Sequence, residues 1–176
     1  MRDLTLDELT KVQQKLKFYI GDNYTFLTKD KSLMLHNKRV LLINNYLLKH
    51  TSNIPKLDMV YCGTVIGKFT KNENFRISIS CLHVLSQYAI NKVWIKKSAE
   101  MNFVYGNNAL KSHVHKMSDS VPINSGVFVY NQNDVCLGYG VSAIKPEKYA
   151  DSKGYQLVVI RQGDTGEYIR NEQLIA

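Results

Sequence analysis

Apolar positions in the first twenty residues recur at helical spacing: Leu9, Val12, Leu16, then Tyr19 or Ile20. Ahead of them Thr5-Leu6-Asp7-Glu8 has the spacing of a capping box, and Gly21 supplies a stop, so the pattern predicts an amphipathic helix between the two. The period then shortens. Apolar runs at Tyr24–Leu27, Leu33–Leu35 and Val40–Ile43, separated by polar clusters at Thr28–Ser32 and His36–Arg39, predict short strands joined by turns. Tyr46–His50 predicts a short helix that ends near Pro55. Met59–Phe69 and Phe75–Ser80 carry β-branched residues on either side of the polar stretch Thr70–Asn74, the pattern of a hairpin.

Beyond the hairpin, Leu82–Tyr88 is predicted helical and Val93–Lys96 a strand. Residues 98–115 predict one or two short helices around Gly106-Asn107. Gly126–Tyr130, Val135–Ala143 and Tyr155–Arg161 predict three further strands, with a tight turn at Asn131–Asp134 between the first two. Strands alternate with helices in the first half and dominate the second, which predicts an α+β protein divided near Ala89–Lys92 into domains 1–92 and 93–176.

Composition narrows the class. With 176 residues, 44% hydrophobic and 22% charged, the chain suits one packed domain or two small ones. It has no apolar run near the ~20 residues of a membrane-spanning helix, and its first residues lack the apolar segment of a secretory signal. Cys62, Cys81 and Cys136 are odd in number and scattered, so neither a disulfide framework nor a zinc site is expected; the expectation is a reducing compartment, cytosol, nucleus or nucleolus. The net charge of +8 is uneven: residues 1–92 carry +7, residues 93–118 carry +3, and residues 119–176 carry −2. Excess positive charge draws polyanions.

Several motifs are weighed and set aside. Gly63–Thr70 approaches a phosphate-binding loop, but one spacer is missing and Phe69 stands where a metal-binding hydroxyl belongs. Gly138-Tyr139-Gly140 lacks the third glycine of a dinucleotide fingerprint and reads instead as a bulge or a close backbone approach. Gly163–Glu167 reads as a turn whose acids are solvated. His113-x-His115 reads as polar surface in preference to a metal site. What does stand out is the stretch 92–114, which gathers Lys92, Lys96, Lys97, Lys111 and His113 with Trp94, Phe103 and Tyr105. Cations beside planar rings suit single-stranded nucleic acid, charges for phosphates and π-faces for bases. For Trp94 itself, flanked by Val93 and Ile95, a core position is favoured over a stacking platform.

Gly67-Lys68-Phe69-Thr70-Lys71, Val93-Trp94-Ile95-Lys96, Tyr105-Gly106-Asn107, Leu110-Lys111-Ser112 and the closing Gly163–Arg170 resemble the nuclear import protein seven family, small factors in large-subunit ribosome biogenesis, and the resemblance covers essentially the whole chain. It implies an N-terminal α/β domain with an antiparallel sheet, then a PUA domain, a mixed β-barrel of RNA-binding proteins. It implies no catalytic activity, no cofactor, and work in the nucleus and nucleolus. The implied partners are pre-rRNA, in single-stranded or loop regions, and ribosome assembly factors, with the chain a monomer in a larger complex and no membrane involved. One departure is His113, where the family pattern favours a glycine that admits close backbone approach.

Charge, spacing and resemblance together nominate Lys96, Lys97, Lys111, Lys116 and Arg161 for phosphate contact, with His113 beside them and Tyr105 as a stacking residue. Lys68, Lys71 and Arg76 form a secondary basic patch on the predicted hairpin. The alternative is a protein–protein scaffold in a pre-ribosomal complex whose lysines are only solvated.

Overall fold

The computed structural model describes residues 1–51, 54–55 and 62–170. Packing divides the chain into two compact units, the first made of Met1–Lys17 with Gly21–Cys81, the second of Phe18–Ile20 with the chain from Leu82 onward. Among the described residues no helix is long and apolar enough to cross a membrane.

In the first unit β1 (Arg2–Asp3) is followed by α1 (Leu6–Ile20, of which Phe18–Ile20 belong to the second unit), α2 (Tyr24–Leu27), β2 (Lys31–His36), β3 (Arg39–Asn44), α3 (Asn45–Thr51), β4 (Thr64–Phe69) and β5 (Phe75–Ile77). The five strands form an antiparallel sheet in sequence order. Its core joins Met34, Leu41, Ile43 and Val65, with Leu48 of α3 packed against them. The β2–β3 connection is a two-residue turn with Asn37 and Lys38 both at positive φ (47° and 65°), the twist a tight hairpin prefers. Tyr24–Leu27, predicted as a strand, is helical: Tyr24 and Leu27 are buried while Thr25 and Phe26 are exposed, so the apolar pair has the three-residue spacing of a helix turn and not the alternation of a strand. The predicted Phe75–Ser80 strand stops at Ile77, because Ile79–Cys81 turns into a 3-10 segment. Met59–Tyr61, placed in the other arm, lies outside the described residues.

The second unit contains α4 (Leu82–Leu85), β6 (Lys92–Ile95), α5 (Lys97–Val104), β7 (Ala109–Leu110), β8 (Val114–Met117), β9 (Gly126–Tyr130), β10 (Cys136–Ser142), α6 (Pro146–Tyr149), β11 (Leu157–Asp164) and α7 (Glu167–Arg170). Its six strands run in the order β7-β11-β10-β9-β6-β8, a nearly closed, barrel-like sheet, antiparallel except where β6 pairs with β9. Valines and isoleucines fill the interior, among them Val93, Ile95, Val127, Val129 and Val158, with Phe103 of α5 added from one side. On another face the Tyr19 ring meets Phe128 and Tyr139 edge-on, at 5.9 and 5.3 Å between centroids.

Residues 98–115 are not helical throughout. The helix ends at Val104, Gly106 follows at φ +99°, and the chain then enters β7 and β8, because Ala109 and Leu110 pair with β11 while Val114–Met117 pairs with β6. The glycines of β10 do mark irregular, close-packed backbone: register shifts fall on either side of Gly138, and a Cβ at Gly138 or Gly140 would collide with the carbonyl oxygens of Gly163 and Ile160 on the neighbouring strand.

The capping box of α1 forms as its spacing predicts: the Glu8 N–H donates to Thr5 Oγ1 and the Thr5 N–H to Glu8 Oε2, with Arg2 paired to the same carboxylate at 2.7 Å. The Arg2 hydrogen bond first, then the Thr5 N–H, holds the Glu8 carboxyl down at about 2 from an ordinary 4.5. A lowered folded-state value means that this contribution is complete above pH 4.5 and is lost as pH falls through 2. Thr5→Ala should therefore cost about 1 kcal/mol in urea unfolding at neutral pH. Glu8→Gln should flatten the acid limb of the thermal stability profile below pH 4.5; an acid limb identical to that of the unmodified chain would remove this assignment.

Candidate nucleic-acid interface

Alternation along β6 turns Val93 and Ile95 into the barrel and leaves Lys92 and Trp94 on the opposite face. Register brings their neighbours alongside, Lys116 of β8 opposite Trp94 and Tyr130 of β9 on its other side. Trp94 and Tyr130 stack with centroids 5.9 Å apart and planes 30° apart. The Lys116 ammonium lies 4.3 Å from the Trp94 ring centroid and that of Lys92 lies 5.4 Å from the Tyr130 centroid. The Trp94 indole N–H donates to Asp134 Oδ1 at 2.5 Å and the Tyr130 hydroxyl to the Ser86 carbonyl at 2.8 Å. Trp94 is thus half-buried on the outer face, not the core residue that its flanking apolar neighbours predict. A single alternating strand shows that the ring opposes Val93 and Ile95, but which face is inside depends on the whole barrel.

A second cluster forms where β6 passes into α5. Lys96 donates its backbone N–H to the His113 carbonyl and its Nζ to the Ser112 carbonyl, each at 2.8 Å, which ties the start of the helix to the 111–113 turn. No side chain caps this helix start, and the positive end of the helix dipole lies beside Lys96 and Lys97, both exposed. His113 is held by its own turn: Nδ1 accepts the Leu110 N–H at 3.3 Å, which places the proton of a neutral ring on Nε2. Lys111 is directed to α6, its Nζ donating to the Tyr149 carbonyl and lying 3.7 Å from the Tyr149 ring centroid.

Two nominated residues lie apart from these clusters. Tyr105 is 67% exposed at the far end of α5, about 12 Å along the helix axis from Lys97. Arg161 belongs to an ion network. Its Nη1 pairs with Asp164 and Glu167, each at 2.9 Å, and its Nε donates to the Gly106 carbonyl at 3.0 Å. Arg170 closes the network, with Nη2 on both oxygens of Asp164 and Nη1 on the Val104 carbonyl. Asp164 is fully buried, which corrects the expectation of solvated turn acids: the carboxylate enters the interior because two guanidiniums and the Gly166 N–H at 2.8 Å meet it there. Asp164, Glu167 and Arg170 were not among the sequence candidates. The signal for them is Asp164-Thr165-Gly166, an Asx-type turn leading into a helix.

The secondary patch lies in the first unit. Lys68 and Arg76 face each other across β4 and β5, and Lys71 is exposed in the turn between them. Glu73 of the same turn pairs with Lys11 at 3.6 Å.

A mixed six-stranded barrel with a helix between its first strand and the rest defines this as a protein of the PUA class. Two sequence-family profiles match the chain, "NIP7/UPF0113, pre-PUA domain" over residues 1–79 and "UPF0113 PUA domain" over residues 91–173. The 60S ribosome subunit biogenesis protein NIP7 of Saccharomyces cerevisiae is 41% identical over 99% of both chains. The homolog of Dictyostelium discoideum is 36% identical over 99% of this chain and all of its own. Among solved structures, a hypothetical protein of Pyrococcus horikoshii shares the fold at a TM-score of 0.63 over 98% of each chain, with 11% identity. A PUA domain of Aeropyrum pernix does so at 0.59, with 13% identity over 93% of this chain and 86% of that one. The chain belongs to the NIP7/UPF0113 family.

Asp164→Asn keeps the shape of the side chain but leaves two guanidiniums facing a neutral amide. It should lower stability by about 3 kcal/mol, the low end for breaking a buried pair because both arginines keep some contact with water. Urea midpoints measure this; a loss below about 0.5 kcal/mol, the range of an ordinary surface change, would show that the network is not structural.

Proposed function

We propose that this protein is an RNA-binding assembly factor of the large (60S) ribosomal subunit, acting in pre-rRNA processing through non-catalytic contacts with RNA and with other assembly factors. The relatives' names support the process, and the PUA class supports the ligand. The site of action that follows is the nucleus and nucleolus. The observation that carries the reading is the tie between Lys96 and the 111–113 turn: residues fifteen or more apart in sequence present Lys96, Lys97 and His113 together at an uncapped helix start.

In this reading Lys96, Lys97 and Lys116 contact phosphates, Lys111 does so while bracing α6, and His113 supplies an Nε2–H donor in place of the family's glycine. Tyr105 offers an exposed ring for a splayed base. Arg161 acts through the backbone it holds. Lys68, Lys71 and Arg76 provide further backbone contact from the first unit. The domain division that we propose, 1–92 and 93–176, follows the charge: +7 before it and +1 after. A second half so near neutrality depends on a few focused cations and not on bulk attraction.

About four neutralised phosphates in the second unit would contribute close to −3 to the log–log salt slope for single-stranded RNA. Lys96→Ala, Lys97→Ala and Lys111→Ala together should make that slope shallower by about 2, with the urea midpoint as a control for folding. RNA binding with an unchanged slope would move the interface elsewhere. Saturable binding to an assembly partner without any RNA affinity would replace the reading with the scaffold.

A further inference from the structure

The loop from Val121 to Ser125 holds an isoleucine at the surface of the second unit. Ile123 is 40% exposed, although Val121, two residues before it, is fully buried. The chain just after it is fixed as well. Asn124, at φ +58°, donates its N–H to the Ser142 carbonyl at 2.8 Å, and the Ser142 N–H donates to the Ser125 carbonyl at 2.9 Å. Ser125 Oγ donates to the Pro122 carbonyl at 2.6 Å. A turn pinned in this way to the end of β10 leaves Ile123 little freedom to fold inward.

Ile123 borders a cavity of about 470 Å³ within the same unit. Ala143 and Ile144, just past β10, add apolar lining, and Ile144 belongs to the barrel core. Lys145 and Lys148 at α6, with Asp151 beyond it, add charge. The segment that carries these charges is tied down. The Lys111 N–H donates to the Gln156 carbonyl and the Ser112 N–H to the Gly154 carbonyl, each at 2.8 Å, while Lys111 Nζ reaches the Tyr149 carbonyl. Ser152 Oγ donates to that same carbonyl at 2.7 Å. On the β10 side the Ala143 N–H donates to the Val158 carbonyl at 2.8 Å. Backbone hydrogen bonds thus hold both sides of the cavity, as in a site formed before its ligand enters.

The lining selects the ligand. Its apolar part is aliphatic, and among the described residues no aromatic ring lines it, so a base has nothing to stack on. A branched aliphatic side chain fits such a surface. Lys145 and Lys148 outnumber Asp151, so the lining is net positive within a stretch, residues 119–176, that carries −2. A polyanion with a charge on every unit would meet Asp151. A peptide with a carboxylate beside an apolar side chain can place the one on the lysines and the other on the isoleucines.

We propose that this cavity is a docking site for an extended acidic and aliphatic peptide segment of a protein partner. One branched side chain packs on Ile123 and Ile144, and a carboxylate meets Lys145 and Lys148. This rests on the assembly-factor reading above and gives it a surface, separate from Lys96, Lys97 and His113.

The test pans a random peptide library, displayed on phage, on the full chain, and titrates the selected peptides by fluorescence anisotropy. Selected sequences should combine Asp or Glu with Leu, Ile or Val. Ile123→Asp should weaken their binding about tenfold, the loss of a buried apolar anchor. Lys145→Glu with Lys148→Glu should weaken it by about tenfold too, and peptides whose acids are exchanged for lysines should regain affinity for that variant. Oligouridine should leave the peptide bound. If Ile123→Asp lowers the urea midpoint, the charge exchange decides alone, and no regained affinity overturns the site. Binders indifferent to all three substitutions overturn it and leave the assembly-factor reading standing. A library without any binder overturns the site and the protein-contact part of that reading together. Displacement by oligouridine would give the cavity to RNA. Self-association in the ultracentrifuge that Ile123→Asp abolishes would give it to a second copy of the chain. Either result overturns the proposal.

Discussion

A carboxylate with no exposure to water anchors the second unit. Asp164, at the end of β11, draws Arg161 from its own strand and Arg170 from α7, and those arginines in turn accept the task of satisfying the Gly106 and Val104 carbonyls at the close of α5. The last carbonyls of a helix have no partner within it and carry partial negative charge, so cations fit there. The network therefore fixes one end of α5 by ionic contact, while Phe103 fixes its inner face by burial. With that end fixed, the other end, Lys96 and Lys97, meets the 111–113 turn in one place. A single buried acid thus orders the helix whose far end carries the candidate interface.

Four lysines of this unit have local partners of their own. Lys116 and Lys92 lie over Trp94 and Tyr130, Lys111 lies over Tyr149, and Lys96 reaches the Ser112 carbonyl. Rings and carbonyls hold an ammonium in place without cancelling its charge, whereas a carboxylate does cancel it. Arg161 shows the contrast: its Nη1 pairs with two carboxylates, and its part is to hold backbone. In the first unit the strand register itself aligns basic residues, Arg39 opposite Lys68 and Lys68 opposite Arg76.

Much of this was legible in the chain. The capping box of α1, the hairpin turns at His36–Arg39 and Thr70–Asn74, the β9–β10 turn and the bulging glycines of β10 all rest on contacts within a few residues, and the structure keeps them. The misses share a cause. Tyr24–Leu27 is too short for its period to decide between helix and strand. Residues 109–110 and 114–117 are strands only because β11 and β6 lie alongside them. Trp94 looked like core because its neighbours are.

The family, the order of most elements and the basic, ring-bearing stretch after residue 92 follow from the residues alone, because propensity, turn chemistry and motif spacing are local. Which face of a strand is wet, which acid is buried and which cations stand in line are set by pairings between segments tens of residues apart. Asp164 became an interior anchor only when Arg161 and Arg170 closed on it, and His36, Arg39, Lys68 and Arg76 became a row only when four strands took one register.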